Sequence, residues 1–305
     1  MSLQEIVIQQ LFNGLLLGSF YGLVALGYSM VYGIIRLLNF AHADIYMVGG
    51  FCSLSLLTFF GGTFLGKGWL GIIVSMLITM IVVGLLGVII ERVAYKPLRE
   101  APRLSLLITA LGVSMVLYNS VMVITAGEYR AYGTGLGYDG FSIGSVFITH
   151  TQAILILAAV ALMLVLHLFI TRTMYGKAMR AISMDRDCCR LMGVNVNKII
   201  ALTFFVGSAL AASAGMMAGV YYGSLHFYMG FTIGIKAFTA AVIGGIGIIP
   251  GAMLGGLLLG LLESFGTQIP LIGSAWKDVF SFTILIFILI FKPTGLLGKK
   301  ESERM

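Results

Sequence analysis

The stretch Asn39-Phe40-Ala41-His42-Ala43-Asp44 gathers an amide, an imidazole and a carboxylate, with apolar sequence of membrane length on either side. Ionisable groups inside lipid are costly unless they meet one another, water or a solute, so the cluster points to a pathway or gate for a polar solute. The plainer reading has Asp44 capping a helix that starts at Ile45 and His42 bonding to backbone. Glu263 is a second inward candidate, deep in an apolar run before Thr267, where it serves a structural hydrogen bond or a solute contact. Glu91, His167, Lys236 and Lys277 read as lying near helix ends, from which they can snorkel to the interface. No paired Asp/Glu/Lys relay is visible deep in the apolar runs.

Hydrolytic and nucleotide chemistry lack their signatures. There is no Ser-His-Asp or paired-carboxylate spacing. The only Gly-Lys in a glycine-rich stretch, Gly66-Lys67, is followed by Gly68 and not by the hydroxyl residue of a phosphate-binding loop. If ATP drives this protein, another chain binds it. The three cysteines, Cys52, Cys188 and Cys189, have neither metal-site spacing nor a histidine cluster nearby, so neither zinc nor a disulfide framework is expected.

The elements that hold these residues are helices in a membrane. Of 305 residues, 59% are hydrophobic and 10% charged, which excludes a water-soluble enzyme. Apolar runs lie near 6–30, 44–60, 69–90, 104–125, 152–171, 199–221, 232–248, 252–267 and 277–292. At about 20 residues per crossing this is an all-α polytopic membrane protein with eight or nine transmembrane helices, read as one transmembrane domain over 1–305. The count turns on the polar patch Arg36 to Asp44, too short for a comfortable loop and readable as a break within the membrane. The first apolar run has no basic segment before it and no small-residue cleavage site, so it is expected to be retained.

Lysine and arginine concentrate in three short stretches, four in 92–103, six in 172–198 and four in 292–304. By the positive-inside rule these face the cytoplasm, which places the Gly/Tyr-rich segment 127–149 outside and the basic tail 292–305 inside. The N-terminus is outside if the first three runs all cross. Within the membrane, Gly244-Gly245-Ile246-Gly247-Ile248-Ile249-Pro250-Gly251 interrupts two short apolar runs. Such an unwound turn needs protein or a water-filled path to cover its backbone, and a discontinuous helix pair points toward a transport pathway, so Gly244, Gly245, Gly247 and Gly251 join the pathway candidates. The segment 173–198 reads as a short amphipathic helix with Ala178, Ala181, Ile182 and Asp185 on one face, Asp185 and Asp187 ahead of Arg190, and Gly193 as its stop. It suits either a partner-docking helix or a basic loop lying on anionic lipid.

These motifs resemble a known family. Gly234 to Ala252, Asn39 to His42 after Val31-Tyr32-Gly33-Ile34, Lys277-Asp278-Val279, and Pro293-Thr294-Gly295 are similar to the LivH-type permease subunit of branched-chain amino-acid ABC importers, over essentially the whole chain. The resemblance implies a bacterial inner-membrane, multi-pass transport subunit that is not an enzyme. It also implies four kinds of neighbour: a second related permease, two cytoplasmic ABC ATPases, an extracytoplasmic amino-acid-binding protein, and membrane lipid, with no nucleic acid. ATP and magnesium would sit on the ATPases and no cofactor on this chain. In the family's cytoplasmic coupling loop, matched here by 172–198, the recurring positions are Gly176, Arg180, Ala181, Asp185, Leu191 and Gly193. The pair Cys188-Cys189 stands where the family often has small or apolar residues. Two rivals follow: a permease of the same family for urea or short amides, and a self-sufficient secondary transporter or channel.

Overall fold

The computed structural model describes residues 3–36, 38–61, 68–133, 139–143, 146–268, 273 and 276–298. All nine apolar runs are helices: α1 (Leu3–Ile35), α2 (His42–Phe60), α3 (Gly68–Ile90), α4 (Arg103–Thr125), α5 (His150–Arg172), α8 (Val196–Tyr222), α9 (Met229–Gly244), α10 (Ile249–Gly266) and α11 (Lys277–Phe291). Two short helices, α6 (Met174–Met184) and α7 (Arg186–Leu191), occupy the long basic stretch. Seven of the nine are long and apolar enough to cross a membrane. The other two, α9 and α11, have 16 and 15 residues. At 1.5 Å per residue they reach roughly 24 and 22 Å, short of the ~30 Å hydrocarbon layer.

Local sequence sets the ends of these elements. Thr149 and Gln152 form a reciprocal capping box at the start of α5. Asn195 caps α8 through the amide of Lys198. The end of α1 has no glycine; Arg36 instead takes the left-handed conformation, φ 55°, with its amide on the Tyr32 carbonyl at 2.7 Å. After α3 the helix widens into a π turn at Glu91–Tyr95 and tightens into a 3-10 turn at Lys96–Leu98, where Pro97 ends it.

Buried α1 is the centre of the bundle, with α10, α8 and α9 packed around it. Its contact with α10 is a seam of small residues: a Cβ on Gly256 would strike the Gly22 backbone, and one on Gly260 the Gly18 backbone. Because lipid tails are as apolar as leucine, such close backbone approach and its dispersion contacts hold helices together in a bilayer. In contrast, α4 is peripheral, lying against α2 and the π turn with most of its surface exposed.

All three basic stretches come to one end of the bundle. Arg99 donates to Asn197 Oδ1 at 2.6 Å, Arg186 to the Ile34 carbonyl at 2.6 Å, and the Leu296 amide to the Ile243 carbonyl at 2.8 Å. The positive-inside rule assigns that end to the cytoplasm. At the other end two small antiparallel pairs form, β1 (Arg130–Ala131) with β4 (Ser224–Leu225), and the hairpin β2 (Gly140–Ile143) with β3 (Val146–Thr149).

Candidate functional site

The polar patch is a break within the bundle. After α1 ends at the cytoplasmic side the chain doubles back, so that His42 packs on Gly27, with its ring edge-on to Tyr28 at 5.0 Å. Gly27 is eight residues before Ile35, about 12 Å along α1 from its end. Ser114, the midpoint of α4, donates to Asp44 Oδ2. The start of α2 therefore lies near mid-depth. The first turn of α9 arrives at the same place, where Gly230 abuts Ala43 and Asp44, and Gly234 abuts Ala43.

Asn39, His42 and Asp44 are all buried within this chain. Asn39 Oδ1 accepts from Tyr95 Oη at 2.6 Å, and its Nδ2 has no hydrogen-bond partner. His42 bonds to the backbone of Val24 and leaves Nε2 unpartnered. The capping expectation for Asp44 is corrected: α2 starts at His42, its N-cap is Ala41 without a side-chain bond, and the Asp44 carboxylate faces α4.

Sequence reasoning missed a charge cluster in the other half of the bundle. Lys236 Nζ lies 2.7 Å from Glu263 Oε1 and 2.7 Å from Asp278 Oδ1. Tyr21 Oη donates to Glu263 Oε2 at 2.9 Å, and Ser281 Oγ approaches the same oxygen at 3.4 Å. One ammonium and two carboxylates thus join α1, α9, α10 and α11. Lys236 does not snorkel: it forms a buried pair with Glu263 inside the bundle, contrary to expectation, while Asp278 reaches it half-exposed from the first turn of α11. Glu91 does not snorkel either; it is buried and salt-bridged to Arg99. Two opposite charges inside two apolar runs were the available signal, since intramembrane charges pair. Glu263 faces inward as expected.

The glycine turn between α9 and α10 is sealed by protein. A Cβ on Gly244 or Gly251 would drive each into the other's backbone. Gly245 and Gly247 take φ of 106° and 88°, which a side chain would strain. The segment after α11 returns to cover the turn, with Leu297 N on the Gly244 carbonyl at 3.2 Å and Gly295 pressed on Gly245. Of the four glycines only Gly247 lines a described cavity, about 90 Å³ between α1, α5, α6 and α10.

The cytoplasmic stretch is two helices, not one. Asp185 is extended (φ −153°, ψ 115°) and accepts from the amides of Asp187 and Cys188, capping α7. These backbone bonds hold the Asp185 carboxyl below the usual carboxylate range. The face drawn through Ala178, Ala181, Ile182 and Asp185 is corrected accordingly: Gly176, Met179 and Ile182 are the buried residues of α6, and Ala181 is exposed. Gly176 sits against the Ile170 backbone, and Arg180 Nη1 donates to the Ile170 carbonyl at 2.7 Å, so both fix the corner between α5 and α6. Gly193 ends the segment with φ 79°. What this end presents outward is apolar: Met174, Tyr175, Met184, Leu191 and Met192 are exposed, the last three by more than 80%.

The family model for the branched-chain amino acid transport system permease component matches residues 10–289. A high-affinity branched-chain amino acid transport system permease protein, BraD of Pseudomonas aeruginosa, is 45% identical, covering 98% of each chain. The corresponding LivH of Escherichia coli is 42% identical over 98% of this chain and 97% of its own. A solved structure, PsaBC from Streptococcus pneumoniae in complex with Fab, aligns with TM-score 0.45 and 14% identity, covering 95% of this chain and 92% of that one. With nine apolar helices, one charged end and a match running nearly end to end, the chain belongs to the branched-chain amino acid transport permease family.

Proposed function

We propose that this chain is the membrane permease subunit of an ATP-driven importer for branched-chain amino acids in a bacterial inner membrane. It is a transport subunit and not an enzyme. The observation that carries the reading is identity of 42–45% over nearly the whole length to two permeases of high-affinity branched-chain amino acid systems. A binding protein outside delivers substrate, a second related permease completes the passage, and two cytoplasmic ATPases hold the ATP and magnesium; this chain needs no cofactor of its own.

The ATPases dock on α6 and α7. Exposed apolar side chains of this size, at Met174, Met184, Leu191 and Met192, are costly in water unless a partner covers them. Because Gly176 and Arg180 lock α6 to α5, a push on α6 becomes a tilt of a spanning helix. Among the recurring positions, Leu191 belongs to the contact, Asp185 and Gly193 shape the two ends of α7, and Ala181 lies on the exposed side of α6. The pathway follows the break at Asn39, His42 and Asp44, whose covering helix α4 is the least enclosed of the seven membrane-length helices. Glu263, Gly244, Gly245, Gly247 and Gly251 support the moving helices from behind.

Uptake of labelled leucine by cells carrying the complete system, competed with unlabelled leucine, isoleucine, valine or urea, tests the substrate class. Competition by the three amino acids and none by urea is expected. The reverse order would assign the chain to the amide branch of the family.

A further inference from the structure

Beside the α6–α7 surface proposed for ATPase docking, and sharing Met184 with it, lies a second feature of the cytoplasmic end. A cleft of about 450 Å³ opens between the end of α1, the start of α4 and the junction of α6 with α7. Its described lining includes three guanidinium groups, Arg36, Arg99 and Arg186, and no carboxylate; Glu91 approaches Arg99 from behind. Arg99 spends its bonds on Glu91 and Asn197, and its Nε has no hydrogen-bond partner. Arg186 is half-buried, donating to the Ile34 carbonyl. Burial first, then the neighbouring charges of Arg99, Arg190 and Arg36, lower its pKa below the usual guanidinium value, against the opposing charge of Asp187. Arginine remains protonated even so, and the cleft keeps guanidinium groups along its lining.

The apolar part of the described lining is made by Ile34, Ile35, Leu106, Ile182 and Met184. On the first turns of α4, Leu104, Ile108 and Leu111 are exposed on the outside of the bundle. Guanidinium forks recognise phosphate oxygens, and basic pockets between spanning helices at the cytoplasmic face suit lipid headgroups. We infer that this cleft is a binding site for an anionic phospholipid of the inner leaflet, its phosphodiester held by Arg36, Arg99 and Arg186 and its acyl chains lying along α4. A free phosphate would use only the guanidinium groups and leave the apolar lining wet. Leu104, Ile108 and Leu111 carry apolar surface on from the cleft along α4, which suits acyl chains better than an acidic protein segment.

Native mass spectrometry of the purified full-length chain, titrated with phosphatidylglycerol, phosphatidylcholine or inorganic phosphate, reads the site directly. The wild-type chain should take up phosphatidylglycerol at lower concentration than phosphatidylcholine. That preference should fall about fivefold for each arginine removed in Arg36→Gln and Arg186→Gln, taking ~1 kcal/mol per basic residue near the membrane surface. Lys198→Gln, outside the cleft, should preserve it. If Arg186→Gln fails to fold for want of its bond to Ile34, Arg36→Gln alone carries the test. Three results would overturn the inference: equal uptake of the two lipids by the wild type, a preference unchanged in the arginine variants, or displacement of the lipid by inorganic phosphate. A fourth would as well, if chain purified with its partner subunits held no lipid there while the isolated chain did, since a protein segment would then be the occupant.

Discussion

Lys236 is the residue on which the outer half of the bundle depends. Its ammonium answers two carboxylates, and α11, short as it is, is tied to α9 through Asp278 and to α10 through Ser281 and Glu263. Removing one partner of a buried pair leaves an uncompensated charge, typically costing about 3–5 kcal/mol, whereas replacing both by apolar groups is often neutral. Lys236→Met should therefore lower the Tm of the detergent-solubilised chain sharply, and Lys236→Met with Glu263→Leu should recover much of the loss; equal Tm for wild type and single variant would show that the cluster bears no load. Asp185 provides a pH-dependent case. Its folded pKa is depressed, so the cap on α7 is intact above the ordinary carboxylate range and is lost as pH falls through the lowered value. Protease cleavage within 186–191 should rise for the wild type only below the ordinary carboxylate range, and should lack that step for Asp185→Asn, which keeps an acceptor but does not titrate. These partnerships were barely legible beforehand. Lys236, Glu263 and Asp278 stand on three helices, and the periodicity of one sequence gives each helix a face without saying which faces meet.

At the scale of elements the sequence was far more informative. The nine apolar runs, read as eight or nine crossings, are all helices because a chain in lipid must satisfy its backbone internally, which leaves little freedom over what such a run becomes. The break at Arg36 to Asp44 was legible for the same reason: polar residues too few for a loop must turn inside the protein. The split of the cytoplasmic segment was missed although Asp185 is a preferred N-cap residue, because an apparent helical spacing was carried through it. Pro293-Thr294-Gly295 was recognised only as a motif; its physical role, covering the glycine turn, required seeing Gly295 against Gly245. The corner between α5 and α6 makes a prediction at this scale. A methyl at Gly176→Ala would collide with the Ile170 backbone and shift α6, so uptake per ATP hydrolysed should fall at least several-fold while the subunits still co-purify. Normal coupling in that variant would detach α6 from the power stroke. At the seam of α1 and α10, Gly256→Leu should abolish recovery of folded chain, since the bundle's central contact has no room for a side chain.

Taken whole, the molecule is a conduit with two contrasting ends. The outer end is sparsely charged and carries two small antiparallel strand pairs; the inner end is basic, carries exposed methionines and leucine, and has helices positioned to receive force. Nothing in it binds nucleotide by any motif the sequence contains, and its mid-depth polar cluster is enclosed by its own helices, so movement must be imposed to open a passage. In the proposed function this movement comes from separate ATPase subunits. The most direct measurement is accumulation of labelled leucine in proteoliposomes supplied with binding protein, containing either this chain alone or this chain with its co-purified partners, with and without ATP. Uptake is expected only with the partners and ATP together. Accumulation by the chain alone, driven by an ion gradient and indifferent to ATP, would contradict the account.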